Sequence, residues 1–282
     1  MMLRIVCVFV AMLLCLAGSE AWGGMSSVKL GGMEVCSLPD AEGESPTSLL
    51  IGATEEQLAQ FFPRGKLPSQ ILAFLVKLPG HTVLFDAGLG AAKGGKVMEG
   101  LREAGVAPSD VSAILLTHLH GDHYGGLTDA EGRAAFPRAE VWVSRVEKDW
   151  WLNEKKDENV RKAFALYEGR LHTFESGDSP LPGVTALDAS GHTPGHTAFH
   201  VRAEGGELLV VGDLLHFADI QLPLPQIAVT YDVDPVKAPE ARRRILNMAA
   251  EGGIPVAGMH FTLPGLWRVA KDGDGYAKSP VK

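Results

Sequence analysis

The sequence is poor in cysteine, in clustered positive charge and in long apolar stretches, and each shortage removes a class of protein. Of its three cysteines, Cys7 and Cys15 fall in the apolar run 5–17 that follows Arg4. That run is too short for a spanning helix, which needs ~20 apolar residues. Ser19-Glu20-Ala21 offers small residues at the positions a signal peptidase reads. Residues 1–21 are therefore expected to be a secretory signal cut near Ala21, with an uncleaved anchor as the alternative. Cleavage leaves only Cys36, so no intramolecular disulfide can form, even in the periplasmic or secreted location the signal implies. Small residues do not precede Cys15 in the manner of a lipidated cysteine, and no stable membrane association is expected after cleavage. A net charge of −8 with no basic run disfavours nucleic acid and anionic membrane surfaces as partners.

What remains is rich enough in apolar residues to build a large core. With 46% hydrophobic residues in a chain of 282, residues 22–282 read as one domain. A weak strand is expected over 28–36 and a loop over 39–47, where Pro, Gly and acidic residues gather. Thr54 and Gln57 form a capping-box signal for a helix that Pro63 stops. Strands at 71–78 and 82–85 flank the turn Pro79-Gly80. Helices are expected over 93–104, 147–167 and 239–251, with strands at 139–143, 171–174, 184–187, 198–201, 207–211 and 254–258. Strands and helices mix through both halves, which suits an α/β protein of the αβ/βα sandwich kind, two mixed sheets flanked by helices. Ligand-bearing loops would then gather at one edge of the two sheets.

One stretch organises the chemistry: Thr117-His118-Leu119-His120-Gly121-Asp122-His123-Tyr124-Gly125-Gly126-Leu127. It follows the apolar run 111–116 and leads into paired glycines, as a buried strand does when it ends in a tight ligand loop. Imidazole and carboxylate together favour zinc or a related divalent first-row metal. His118 and His120 alternate on one face of an extended segment. Asp122 and His123 come after a glycine turn and can address a second spot. The spacing suggests two metals.

Further candidates stand where apolar strands end, a place where binding residues concentrate. Gly191-His192-Thr193-Pro194-Gly195-His196-Thr197 carries two histidines that its Pro and Gly keep off a common face. Asp213 comes just after Gly212 at the end of the strand at 207–211, and His260 follows the strand at 254–258. Asp86 ends Val83-Leu84-Phe85. Trp150, Trp151, Phe217, Phe261 and Leu263 are candidates to line an apolar substrate pocket, ordinary core packing being the alternative. His81, His172 and His200 lie outside the ligand pattern and are expected to be structural.

Taken together, T-H-L-H-G-D-H, G-H-T-P-G-H, V-G-D and M-H resemble the metallo-β-lactamase superfamily in its two-metal form, over about residues 70–265. The resemblance implies that His118, His120 and His196 hold one metal. Asp122, His123 and His260 would hold the other, with Asp213 bridging them. It also implies that Asp86 orients a ligand histidine, and His192 stands close enough to the ligand pattern to be a further supporting residue. Gly212 to Gln221, Tyr231 to Pro235 and Met259 to Gly265 are similar to the methyl parathion hydrolase-like branch. Acyl-homoserine lactonases resemble the chain too, although they usually carry tyrosine where this chain has His216.

The implied activity is hydrolysis of an ester-type bond, in a phosphotriester or a lactone, by a hydroxide shared between two divalent ions. Zinc is expected, with manganese, cobalt or iron as substitutes. Asp122 would shuttle the proton and His216 would donate a hydrogen bond to a small-molecule substrate. The alternatives are an acyl-homoserine lactonase proper and a non-catalytic zinc-binding protein of the same fold. A complete, open ligand set argues against the latter, because structural zinc sites are closed by four protein ligands. A homodimer is expected from the resemblance.

Overall fold

The computed structural model describes residues 24–281, and the signal expected over 1–21 lies outside them. The strands of the first half are β1 (Ser26–Leu30), β2 (Met33–Pro46), β3 (Leu50–Ile51), β4 (Lys66–Leu78), β5 (His81–Phe85), β6 (Ala113–Leu115), β7 (Glu140–Ser144) and β8 (Leu171–Phe174). Those of the second are β9 (Val184–Asp188), β10 (Thr197–Ala203), β11 (Gly206–Val210), β12 (Ala228–Val229), β13 (Val256–Ala257), β14 (Leu266–Asp272) and β15 (Gly275–Pro280). The helices are α1 (Glu55–Phe61), α2 (Val97–Glu103), α3 (Gly121–Tyr124), α4 (Arg145–Asp149), α5 (Glu158–Ala165), α6 (Ala218–Gln221) and α7 (Lys237–Gly252).

Period-two alternation along the strands decides how these elements stack. On β4, Leu72, Phe74, Val76 and Leu78 face one cluster while Ala73 and Leu75 face another. On β11, Leu208 and Val210 join the first cluster, and Leu209 packs on the opposite side with the adjoining Val211. The shared cluster is the space between two sheets, one ordered β1-β2-β4-β5-β6-β7-β8 and the other β15-β14-β13-β11-β10-β9. Both are mixed: β5, β6, β7 and β8 run parallel, as do β11 and β13, and the other pairs are antiparallel. The outer face of the first sheet is covered by Val97 and Leu101 of α2 and by Val160 and Phe164 of α5. That of the second takes Ala241, Ile245, Leu246 and Ala249 of α7, spaced as one helical face. The result is the expected αβ/βα sandwich.

Local sequence misleads in four places. The loop expected over 39–47 is the outer half of β2, whose ladder with β4 runs from Glu34↔Lys77 to Pro46↔Lys66. Cross-strand pairing overrides the Pro and Gly content, and the register shifts once, between Pro39 and Ala41. The bulged Asp40 then turns its carboxylate onto the backbone N–H groups of Leu89, Lys96 and Val97. Those bonds delay the start of α2 to Val97, later than the expected 93. The helix expected over 147–167 is broken: α4 passes into a wide turn at Trp150–Glu154, Lys156 takes a left-handed φ of 53°, and Asp157 caps α5 through Asn159 and Val160 N–H. Finally, β14 and β15 form a hairpin about Gly273 that sequence reading leaves out. The capping box at Thr54 is present, its Oγ1 accepting from Gln57 N–H at 3.2 Å while Gln57 Oε1 accepts from Thr54 N–H at 2.9 Å.

Candidate metal centre

Parallel pairing of Phe85 with Leu115 brings the ends of β5 and β6 side by side, and that register sets Asp86 against Thr117. Asp86 has a φ of 58°, which a non-glycine residue holds only when its surroundings fix it. Here its Oδ1 accepts from Thr117 N–H at 2.7 Å, and its Oδ2 lies 2.7 Å from both Thr117 Oγ1 and His123 Nδ1. At the end of β11, Gly212 takes a φ of 55°, and a Cβ there would fall 2.5 Å from His196 Nε2. Only glycine lets the chain turn Asp213 inward at that point.

The inward-facing atoms converge on the Asp213 carboxylate. Its Oδ1 lies 3.1 Å from His123 Nε2. Its Oδ2 lies 3.1 Å from His260 Nε2, 3.1 Å from His216 Nε2, 3.3 Å from His192 Nε2 and 3.6 Å from His118 Nε2. His120 Nδ1 faces His118 Nε2 at 3.0 Å and His192 Nε2 at 2.9 Å. Asp122 Oδ2 stands 3.6 Å from His123 Nε2 and 3.5 Å from His260 Nε2. Three overlapping groups emerge: His118, His120, His192 and Asp213 form one, Asp122, His123 and His260 form another beside Asp213, and Asp213, His216 and His260 form a third.

The acceptor on each ring's far side shows which imidazoles are free to ligate. His192 Nδ1 is held by Asp232 Oδ1 at 2.9 Å, which leaves Nε2 facing the cluster. His123 is held in the same manner by Asp86, and His260 Nδ1 by the Gln70 carbonyl at 2.7 Å. His196 is spent on both sides: its Nε2 accepts from Asp213 N–H at 3.1 Å, and its Nδ1 donates to the Ala189 carbonyl at 2.9 Å. The expected roles of His196 and His192 are therefore exchanged. His192 presents the free nitrogen, and His196 supports the backbone that carries Asp213.

The donors fit a pair of divalent ions. A tetrahedral ion with bonds of ~2.0–2.1 Å holds its ligand nitrogens about 3.3 Å apart, close to the spacing of His118, His120 and His192. His123 Nε2 and Asp213 Oδ1 are buried with no hydrogen-bond partner, as donors awaiting a cation would be. Electrostatics agree. Burial outweighs all else at His118, whose pKa falls well below the ordinary range, and with His192 nearby it holds His120 at about 3. At His123 burial is overcome by Asp213, Asp122 and Asp86, so its pKa rises well above the usual value. At His192 burial is overcome by the bonds to Asp213 and Asp232, which raise it to about 9. Burial would protonate Asp213, yet His123 and His260 hold its carboxyl far below the usual range. Asp213 stays anionic at the centre of the cluster.

A cavity of about 420 Å³ opens over these groups. Its floor is Asp122, Asp213, His216 and His260, its apolar wall is Ile71, Phe217 and Tyr231, and Ser45 and Ser69 stand at its edge. Of the five expected pocket residues only Phe217 lines it. Trp150 stacks edge-on against Trp151 under Lys155, Phe261 is buried beneath the second sheet, and Leu263 packs on the core between the sheets. Trp151 instead meets the ring of His120 edge-to-face at 5.7 Å and donates to Glu147. Position rather than aromatic character decides the lining, since the walls come from β4, the residue before α6 and the loop after β12. His172 and His200 pair with Glu140 and Glu207 away from the cluster.

The sequence profile of the metallo-beta-lactamase superfamily matches residues 67–253. The chain belongs to that superfamily. Among solved structures, this metallo-beta-lactamase fold superposes on the hydrolase AbOPH of the beta lactamase superfamily with a TM-score of 0.85, at 28% identity over 93% of this chain and 99% of the other. It shares its fold with AidC, a dizinc quorum-quenching lactonase, at a TM-score of 0.82 and 24% identity, covering 92% and 98%. In sequence it is 30% identical to an N-acyl homoserine lactonase of Bacillus thuringiensis over 118 residues, 41% of this chain and 44% of that protein. It is 28% identical to the probable metallo-hydrolase YqgX of Bacillus subtilis over 52% of this chain and 67% of the relative. The chain thus stands among metallo-hydrolases with lactonase-like neighbours, and its sequence match spans less than half the length of the Bacillus thuringiensis lactonase.

Proposed function

We propose that the chain hydrolyses ester-type bonds, in a lactone or an organophosphate triester, with two divalent metal ions held at the Asp213 cluster, zinc first among them. The observation that carries this is the placement of one buried carboxylate between two groups of free imidazole nitrogens, with an open cavity above. Ions bound there would supply an activated water at neutral pH and polarise the oxygen of the scissile bond. The chain's own residues do the rest. Asp213 touches both groups and fixes their separation. Asp122, partly exposed at the cavity floor, is placed to accept a proton from water and pass it outward. His216 Nε2 points at Asp213 from the cavity side, where a substrate oxygen would compete for its hydrogen bond. Ile71, Phe217 and Tyr231 receive the apolar part of the substrate.

Among the described residues no lysine or arginine lines the cavity itself, and the Lys93 ammonium stands at its edge beside Gly121. With most of the lining uncharged or acidic, an uncharged ester is favoured over an anionic thioester or phosphomonoester. Lactones have the further support of the lactonase neighbours. The chain is also proposed to act outside the cytoplasm, as a homodimer. The test is a panel of a paraoxon-type triester, a γ-lactone, an aryl ester and a cephalosporin, offered to protein loaded with zinc, manganese or cobalt. Turnover of lactone or triester well above cephalosporin supports the reading. Two bound ions with no turnover of any of the four would make it a metal-binding protein instead.

A further inference from the structure

Glu147, at the third position of α4, is a fully buried carboxylate that makes no hydrogen bond to the proposed metal ligands, yet it bonds the two loops that carry His118, His120 and His192. Its Oε1 accepts from Leu119 N–H at 3.0 Å and from Trp151 Nε1 at 2.7 Å. Its Oε2 accepts from Thr193 Oγ1 at 2.8 Å and from Gly195 N–H at 2.9 Å. Leu119 separates His118 from His120, and Thr193 follows His192. Trp151 completes the arrangement by setting its ring edge-on to His120 at 5.7 Å. A Cβ on Gly195 would fall 2.2 Å from Glu147 N, so the second loop lies directly on the start of α4.

We propose that Glu147 is a positioning residue for the His118–His120–His192 group, locking two loops distant in sequence into one ligand geometry. The partners of the other group are different: Asp86 orients His123, and the Gln70 carbonyl orients His260. Each group therefore has its own support, and Glu147 serves only one. Its four partners are all neutral donors, and burial pushes its carboxyl pKa up. Placing a carboxylate there without a cation is costly. An apolar side chain of similar size would serve simple packing better. The four hydrogen bonds compensate, and what they fix is the spacing of ligand-bearing backbone.

The inference rests on the two-ion reading only in taking His118, His120 and His192 as one ligand set, and the test separates the two. Metal-free protein is titrated with Co(II), followed by visible d–d absorption and by competition with a chromophoric chelator. Wild type is expected to show two binding steps, and His260→Ala identifies the step that belongs to the other group. Glu147→Gln keeps the size but turns an amide NH2 toward two of the four donors. It is expected to weaken the His118–His120–His192 step about 10- to 100-fold and change its absorption band, leaving the other step within about threefold. Equal weakening of both steps, or no change in either, overturns the proposal. Should Glu147→Gln lose its cooperative unfolding transition, Thr193→Val decides in its place. That variant removes one donor, so a selective loss of several-fold in the same step is expected and none overturns. A wild type that binds a single ion would defeat the two-ion reading, while the effect of Glu147→Gln on that one step still decides the role of Glu147.

Discussion

Asp86, just past the end of β5, and His123 of α3 face each other across 2.7 Å, both fully buried, and Asp86 is the partner of His123 Nδ1. The carboxylate fixes which nitrogen of His123 carries the proton and so frees Nε2 toward Asp213. Asparagine tolerates the left-handed backbone at this position but can offer Nδ1 only an amide. Asp86→Asn is therefore expected to fold and to lose about 10- to 100-fold in affinity at the group containing His123. Metal titration alongside thermal unfolding checks this.

The exchange of roles between His192 and His196 separates two variants. His192→Ala removes a free ligand nitrogen and should leave one ion per chain after dialysis. His196→Ala should retain both ions, because its nitrogens are committed to Asp213 N–H and the Ala189 carbonyl. It should instead lose about 1–3 kcal/mol of stability from the orphaned backbone groups. Elemental analysis and urea unfolding of the two proteins distinguish these outcomes.

Arg242 of α7 is almost fully buried and donates to the carbonyls of Leu214, Pro225 and Ile227, clamping the residue next to Asp213. Arg242→Met removes three donors from three buried acceptors at once. The expected loss is about 3–5 kcal/mol, read by chemical denaturation of the metal-free chain.

Phe217 joins the small cluster of Leu50, Phe62, Leu67, Ile220 and Val229, and it also forms part of the cavity wall. Shortening it should weaken the grip on an apolar substrate tail without touching the ligands. Phe217→Leu is expected to raise KM for long-chain lactones or aryl triesters by about threefold to tenfold, from roughly 1 kcal/mol of lost burial, with kcat changing less. A series of acyl chain lengths measures it.

Much of this was legible in sequence, because strands that alternate apolar residues onto two faces declare where they end. Leu72 to Leu78 and Leu208 to Val211 did so, and Asp213 and His260 follow such ends directly. The choice between His192 and His196 was hidden, since the same residue type occurs twice in one loop and only the hydrogen bonds to Asp232, Ala189 and Asp213 tell them apart. Glu147 reads locally as an ordinary acid in the first turn of a helix, and its four partners lie 4 to 48 residues away. Ser45, Ser69 and Tyr231 reach the cavity through the long β2–β4 ladder and the β3–β12 pair, which no local pattern announces.

The most direct measurement is anomalous diffraction from crystals grown with zinc. Two peaks about 3.5–4 Å apart, with an oxygen of Asp213 within bonding distance of each, are predicted. A single peak, or a second ion beyond the reach of Asp213, would contradict the shared carboxylate on which the hydrolytic account stands.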